Sequence, residues 1–178
     1  MSKQILMILK ACEFAAEKHR NQRRKDPART PYINHPLAVA RVLAEEGGVK
    51  DPEILSAAIL HDTLEDTETT LNELQREFGA HIAGLVAEVT DDKSLPKQRR
   101  TQLQIDHAPM KSKGAALIKV ADKICNLRDL RESPPKHWTV ERRQNYQRWA
   151  SEVVLALPLE RHRLRRVFDA ELIGRRLP

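Results

Sequence analysis

The chain has 178 residues, of which 40% are hydrophobic, 31% are charged and 4% are aromatic. This composition excludes collagen-like, low-complexity and wholly disordered chains, and the scarcity of aromatic side chains argues against nucleic-acid recognition by base stacking. The formal net charge of +6 suits an anionic partner such as a phosphate, a nucleotide, RNA or a lipid, but a basic surface without a partner fits it equally well.

The hydrophobic pattern is helical almost throughout the chain, and no stretch alternates convincingly as a β-strand. An apolar stripe predicts a first helix over 3–20, and a polar loop follows over 21–34. Pro36 opens a second predicted helix, which ends at Gly47-Gly48.

The second half of the pattern adds helices with recognisable starting residues. Asp51-Pro52 predicts the start of a third helix that is apolar on almost every side, so we expect it to be central. Thr70 and Glu73 resemble a capping box for a short helix that ends near Gly79. Further helices are predicted over 80–90, 97–106, 114–130, 139–157 and 159–174.

These elements predict an all-α chain of about eight to ten helices in a single domain over 1–178. Its motif-bearing core covers about 5–157, and a C-terminal helix covers about 159–174. No apolar run approaches the roughly 18 residues of a membrane span, and the N-terminus has the pattern of an amphipathic helix, not of a signal peptide. Cys12 and Cys125 lie outside any C-x-x-C pattern, so we expect a cytoplasmic protein without a disulfide framework.

The segment from His61 to Asp66 places an imidazole and three carboxylates at the end of the most hydrophobic predicted helix. On a continuous helix, His61 and Glu65 are neighbours at i,i+4, and so are Asp62 and Asp66. Three crowded acids repel one another unless a cation or a proton compensates. The segment therefore predicts a metal site with adjacent acid–base groups, and the alternative is a solvated, acidic helix end.

Two further positions supply partners for this segment. His35 precedes a proline at a predicted helix start, and Asp122 lies in an apolar helical stretch with Asn126 one turn further on. A cap or surface role for His35 and a salt bridge for Asp122 are the alternatives, because a buried acid needs a partner. Together with His61-Asp62, these residues would give two nitrogen and two oxygen ligands, a set that suits Mn²⁺, Fe²⁺ or Zn²⁺.

Three strings carry a resemblance to a known family: TPYINHP over 30–36, HDTLEDT over 61–67 and KVADKICN over 119–126. In this order and spacing they resemble the HD superfamily of metal-dependent phosphohydrolases, and more specifically the hydrolase domain of the RelA/SpoT alarmone enzymes. The chain looks most like the stand-alone small alarmone hydrolases of the metazoan SpoT-homologue type.

The resemblance implies an HD-type helical bundle with one Mn²⁺, for which Zn²⁺ or Fe²⁺ could substitute. The implied reaction removes the 3′-pyrophosphate of guanosine 3′,5′-bis(diphosphate) or its pentaphosphate (ppGpp or pppGpp), giving GDP or GTP and pyrophosphate. Four residues match the metal ligands of the family, namely His35, His61, Asp62 and Asp122. Two match its catalytic acidic pair, Glu65 and Asp66.

Six residues match positions that hold the nucleotide: Arg24, Lys25, Lys97, Asn126, Arg142 and Tyr146. We expect one arginine of the loop before His35 to stack on the base, and Arg142 and Tyr146 to form the opposite wall. A solvated basic loop and an ordinary amphipathic helix are the alternatives for these two segments.

Two other functions are kept as alternatives. One is a different HD enzyme: a nucleotidase, a deoxynucleotide triphosphohydrolase, a cyclic-nucleotide phosphodiesterase, or a phosphatase acting on the 2′-phosphate of NADPH. The other is a basic helical protein that binds RNA without catalysis, which the net charge and the arginines from Arg161 to Arg176 favour. We expect a small nucleotide as the partner, with no membrane and no nucleic acid, and leave monomer or dimer open.

Overall fold

The computed structural model describes residues 2–174, and within them the fold is built from helices, as the hydrophobic pattern predicts. Nine α-helices and one 3-10 turn, Ala108–Met110, occur in this range. The arginines at 175 and 176 lie outside the described residues. The helices are α1 (Lys3–Lys18), α2 (Asn34–Glu45), α3 (Pro52–Leu60), α4 (Thr63–Asp66), α5 (Leu71–Val89), α6 (Lys97–Asp106), α7 (Lys113–Glu132), α8 (Val140–Ala156) and α9 (Arg163–Leu172).

Side-chain caps fix several of the predicted helix starts. Asp51 accepts a hydrogen bond from the Glu53 amide at 2.9 Å, and Thr70 accepts one from the Glu73 amide at 3.2 Å. These bonds satisfy amides that the first turn of a helix leaves without a partner. Gly79, at φ 87° and ψ 165°, interrupts α5, which confirms the predicted short helix and the separate helix that follows it.

Two predicted helix starts are displaced. Helix α2 begins at Asn34, before Pro36, because a proline is tolerated in the first turn of a helix. Helix α9 begins at Arg163 and not at 159, because the His162 side chain accepts a hydrogen bond from the Leu164 amide and caps the helix there.

The continuous helix assumed through the His-Asp segment is wrong. Helix α3 ends at Leu60, and the chain turns at His61-Asp62 before the short α4. Side chains occupy the last carbonyls of α3: His61 Nδ1 lies 2.8 Å from the Ala58 oxygen, and Thr63 Oγ1 donates to the Leu60 oxygen at 2.7 Å. These side-chain bonds compete with the helical ladder for the same carbonyls, and helical bonding resumes where the Asp66 amide donates to the Asp62 carbonyl at 2.9 Å.

Two buried helices form the centre of the fold. Helix α3 packs against α1, α2, α5 and α7, which confirms its expected central position. Helix α7 packs against α2, α5, α8 and α9, and it buries three charged side chains, Lys119, Asp122 and Lys123. Unpaired burial of charge costs several kcal/mol, so these residues point to a polar site inside the bundle.

Side-chain hydrogen bonds hold the outer helices α6 and α9 to the rest of the bundle. Helix α6 has no buried residue and is held to α8 by Trp149, whose indole donates to the Thr101 carbonyl at 3.0 Å. Helix α9 is held to α7 by the buried Glu171, which accepts hydrogen bonds from Arg128 at 2.7 Å and Arg131 at 2.6 Å. None of the helices within 2–174 combines the length and apolarity needed to cross a bilayer.

Candidate active site

Four predicted metal ligands converge from three places in the fold. His35 lies in the first turn of α2, His61 and Asp62 form the turn after α3, and Asp122 lies in the middle of α7. Ligand atoms of His35, His61 and Asp62 all lie within 4.8 Å of one another. Asp122 Oδ1 lies 3.1 Å from His35 Nε2 and 4.0 Å from His61 Nε2. The structure therefore brings together two nitrogen and two oxygen donors, of which the first and the last, His35 and Asp122, are 87 positions apart in sequence.

The His61 imidazole is oriented as a metal ligand requires. Its Nδ1 lies 2.8 Å from the Ala58 carbonyl oxygen, which fixes a proton on Nδ1. Its Nε2 is buried without a hydrogen-bond partner and lies 3.1 Å from Asp62 Oδ2. The ring thus turns Nε2 towards the carboxylates, where Nε2 carries a proton or, in the neutral ring, can coordinate a cation. This donor set fits a divalent cation of the type held by imidazole and carboxylate ligands.

The charges in this cluster reinforce one another. Burial by itself would raise the pKa of Asp62, but the adjacent His61 outweighs it and holds that pKa far below its ordinary value. Asp122 also has a strongly lowered pKa, because Lys123 and His35 outweigh its burial. Burial would lower the pKa of His61, but Asp62 and Asp122 raise it to about 9. Both carboxylates are therefore charged at neutral pH and call for a positive charge between them.

A second layer of hydrogen bonds holds the carboxylates in place. The Tyr32 hydroxyl donates to Asp62 Oδ2 at 2.7 Å. Asn126 Nδ2 donates to Asp122 Oδ1 at 2.7 Å, and Lys123 Nζ donates to its Oδ2 at 3.1 Å. Such outer partners orient ligands and tune their basicity. Tyr32 lies in the string that carries the resemblance, but its contact with Asp62 could not be inferred from the sequence.

The acidic pair, Glu65 and Asp66, lines a small cavity of about 180 Å³. The four metal-ligand candidates line the same cavity. Glu65 accepts a hydrogen bond from the Asp91 amide at 3.0 Å. Burial raises the pKa of Glu65 above its ordinary value. Asp66 is held by an ion pair with Lys93. The two carboxylates therefore lie beside the candidate metal centre with different environments.

A larger cavity of about 780 Å³ adjoins the small one. The two share the residues Arg24, Tyr32, His35, Asp66 and Asn126. Lys25 and Tyr146, two of the predicted nucleotide-binding residues, line the larger cavity alone. A volume of this size suits a small-molecule ligand, so the structure offers a ligand-sized chamber that opens directly onto the cluster of histidines and acids.

The predicted nucleotide-binding residues are only partly brought together. Arg24 forms an ion pair with Asp129 and donates to Asn126 Oδ1 at 3.3 Å, so its guanidinium is already positioned. Arg142 is exposed and lies over the Trp138 ring, with Cζ 4.4 Å from the ring centroid. Lys97, the first residue of α6, is exposed and lines neither cavity, and its role stays a prediction.

Two residues that the sequence did not single out also line the cavities. Trp138 lines the larger one, and its ring centroid lies 5.9 Å from that of Tyr146. The sequence did offer a signal for Trp138: it is an aromatic residue directly before the Thr139 cap and four positions before Arg142. Lys119 lines the smaller cavity, and burial, followed by the charge of Lys123, lowers its pKa to about 8.

Comparison with known proteins gives a consistent result. A model of the HD-domain family matches residues 11–151. A Xenopus tropicalis protein named guanosine-3′,5′-bis(diphosphate) 3′-pyrophosphohydrolase MESH1 is 56% identical over 157 residues, which cover 88% of each chain. The Homo sapiens protein of the same name is 54% identical over the same coverage. A solved structure, described as a metazoan ortholog of SpoT that hydrolyses ppGpp, superposes with a TM-score of 0.91 at 44% identity, covering 97% of this chain and 96% of the other.

Proposed function

This chain belongs to the HD-domain family, in the group of the MESH1 pyrophosphohydrolases, and from that premise we propose that it hydrolyses ppGpp or pppGpp. The products are GDP or GTP and inorganic pyrophosphate. The observation that carries the proposal is the convergence of His35, His61-Asp62 and Asp122 beside an acidic pair, in a small cavity that adjoins a chamber of about 780 Å³. An RNA-binding role would leave this buried cluster without a purpose.

We propose that the four residues hold one Mn²⁺, with Zn²⁺ or Fe²⁺ as the alternative ions. The unpartnered Nε2 of His61 and the two charged carboxylates support this assignment. A divalent cation held there would supply Lewis acidity towards a water molecule and towards a phosphoryl oxygen.

The acidic pair is assigned the proton transfer. Glu65, with its raised pKa and its fixed contact to the Asp91 amide, accepts the proton of the attacking water. Asp66, the next residue of α4, orients that water and the phosphoryl group with Lys93. A new bond forms between the water oxygen and phosphorus, the bond to the ribose 3′-oxygen breaks, and that oxygen takes up a proton. General acid–base groups of this kind typically contribute roughly 10²–10⁴-fold to a rate.

The nucleoside is assigned to the larger cavity. Arg24 and Lys25, in the loop before α2, supply positive charge to the phosphates. Asn126 of α7 and Tyr146 of α8 line the same cavity. The Trp138 ring lines this cavity and offers a flat surface for the base, and the Arg142 guanidinium, which lines neither cavity, lies 4.4 Å from the ring centroid. A cytoplasmic location is proposed as well, because Cys12 and Cys125 are free thiols in the structure.

The test is product identification. Purified protein is incubated with Mn²⁺ and ppGpp, and released pyrophosphate and phosphate are measured separately alongside the nucleotide product. The expected result is one pyrophosphate and one GDP for each ppGpp consumed. A parallel incubation with NADPH addresses the competing phosphatase function. Release of phosphate from NADPH with no pyrophosphate from ppGpp would contradict the proposal.

A further inference from the structure

Lys119 is a buried lysine of the small cavity that has no anionic partner among residues 2–174. Lys119 is only 7% exposed, and it lines the small cavity. Within residues 2–174 its Nζ donates to the neutral Oε1 of Gln104 at 3.4 Å and forms no ion pair. A buried ammonium normally has a carboxylate partner, so this one calls for an anion that the folded chain does not supply.

The neighbouring lysine on the same helix shows the contrast. Lys123 is also buried, at 3% exposure, but its Nζ donates to Asp122 Oδ2 at 3.1 Å and lies 4.4 Å from the centre of the Trp149 ring. Lys123 is therefore satisfied inside the protein. Both lysines line the small cavity and both are buried, so they differ only in their partners: Lys123 has a carboxylate, and Lys119 has a weak contact with a neutral amide.

The contact with Gln104 orients Lys119 and does not neutralise it. The Gln104 amide donates to an Asp91 carboxylate oxygen, and the Asp91 backbone amide donates to Glu65. This chain of hydrogen bonds links α6, the loop before it and the proposed general base to the lysine. The Gln104 amide oxygen accepts a hydrogen bond from the Lys119 ammonium group. Both residues line the small cavity.

The position of Lys119 along α7 tells which part of the substrate it would meet. Lys119, Asp122 and Asn126 lie at i, i+3 and i+7, so they form one stripe along the face of α7 that lines the small cavity. Asn126 also lines the larger chamber, whereas Lys119 lines only the small one. A nucleotide whose nucleoside lies in the large chamber and whose scissile phosphoryl group lies at Asp122 would extend its distal phosphoryl group towards Lys119.

We propose that Lys119 binds the distal phosphoryl group of the 3′-pyrophosphate and so selects a pyrophosphate over a monophosphate at the ribose. The inference rests on the proposed function. A charge-assisted hydrogen bond to phosphate fills the place of the missing carboxylate partner. A substrate with a single phosphoryl group at that ribose position ends at the metal centre and gains nothing from the lysine.

The experiment compares Lys119→Met with wild type and with Lys113→Met, a matched variant at the exposed first residue of the same helix. Lys119→Met is expected to lower kcat/KM for ppGpp about ten- to hundredfold. Its inhibition constant for guanosine 5′-diphosphate 3′-monophosphate, which lacks the distal group, is expected to stay within twofold. Lys113→Met is expected to match wild type on both. Equal losses on both nucleotides, or no loss on ppGpp, would overturn the inference.

Two further measurements keep folding and function separate. The thermal midpoint of Lys119→Met should not fall, because methionine keeps the length of the chain and removes a buried charge; if that variant fails to fold, Lys119→Gln takes its place. Binding of inorganic pyrophosphate is followed by calorimetry with Mn²⁺ kept in excess. If wild type releases no pyrophosphate from ppGpp, the proposed function fails. Even then, a tenfold weaker affinity of Lys119→Met for pyrophosphate supports the inference about Lys119. An unchanged affinity overturns it.

Discussion

The Tyr32 hydroxyl donates a hydrogen bond to Asp62 Oδ2 at 2.7 Å, and this bond ties the loop before α2 to the candidate metal centre. Tyr32→Phe removes one oxygen atom and leaves the ring packed between His19 and His35. We expect the affinity for Mn²⁺ to fall about 10–100-fold, because outer hydrogen bonds orient metal ligands. Calorimetric titration with Mn²⁺ measures this, with the thermal midpoint as a check on folding. An affinity within twofold of wild type would exclude this role for Tyr32.

Asp122→Asn tests whether α7 supplies a metal ligand. The amide keeps the size of the side chain but removes the negative charge that faces His35 at 3.1 Å. We expect bound Mn²⁺ to be lost and pyrophosphate release to fall at least 100-fold, since the amide is a weak ligand for such an ion. Metal content by elemental analysis and product release are measured together. Asp106→Asn, at the exposed end of α6, is the control, and full activity of Asp122→Asn without metal would refute the centre.

Glu65→Gln separates proton transfer from metal binding. Glu65 is held by the Asp91 amide at 3.0 Å and does not belong to the four ligand candidates. Glutamine keeps that contact but accepts no proton, so kcat is expected to fall roughly 10²–10⁴-fold while bound Mn²⁺ stays at the wild-type level. Single-turnover kinetics and metal analysis provide the readouts. Turnover near the wild-type rate would remove Glu65 from the proton-transfer step.

Trp138→Ala probes the aromatic wall that the sequence did not predict. Its ring lines the larger cavity and carries the Arg142 guanidinium at 4.4 Å. Base stacking on an aromatic side chain is worth about 1–3 kcal/mol, so KM for ppGpp is expected to rise about tenfold with kcat nearly unchanged. Steady-state kinetics give the two constants. Lys97→Ala serves as the comparison, because Lys97 lines neither cavity; a larger KM effect there would place the base on the α6 side.

Glu46→Gln addresses the ion pair between Glu46 and Arg128, which both line the larger cavity. Hydrogen bonds from Arg128 at 2.6 and 2.9 Å hold the pKa of Glu46 below its usual 4.5. A lowered folded-state pKa means that this stabilisation is complete above about pH 4.5 and is lost as pH falls through the folded pKa. At pH 7 we expect Glu46→Gln to cost about 1 kcal/mol, since solvent screens a partly exposed pair.

Denaturant unfolding at several pH values measures this difference. The gap in unfolding free energy between wild type and Glu46→Gln should be constant from pH 7 to about 4.5 and should shrink at lower pH. Glu45→Gln is the matched control, because Glu45 meets Arg41 at 3.4 Å with both side chains mostly exposed. A gap that grows on acidification would show that another group dominates.

Much of the fold followed from local rules in the sequence. Asp51, Thr70 and Gly79 mark helix boundaries through caps and a left-handed backbone, and these effects act within a few residues. The break at His61-Asp62 was missed because it depends on side chains competing for the carbonyls of Ala58 and Leu60, and helical periodicity does not report such competition.

The sequence by itself determined the helical class, the donor types and the order of the motifs, because periodicity and residue chemistry are local properties. Only the tertiary structure decided that His35 and Asp122 lie 3.1 Å apart and that Tyr32 supports Asp62. It also decided that, among residues 2–174, Lys119 has no carboxylate partner in the small cavity, whereas Lys123 in the same cavity is paired with Asp122. Contacts between side chains distant in sequence depend on how helices pack, and a linear pattern carries no record of that packing.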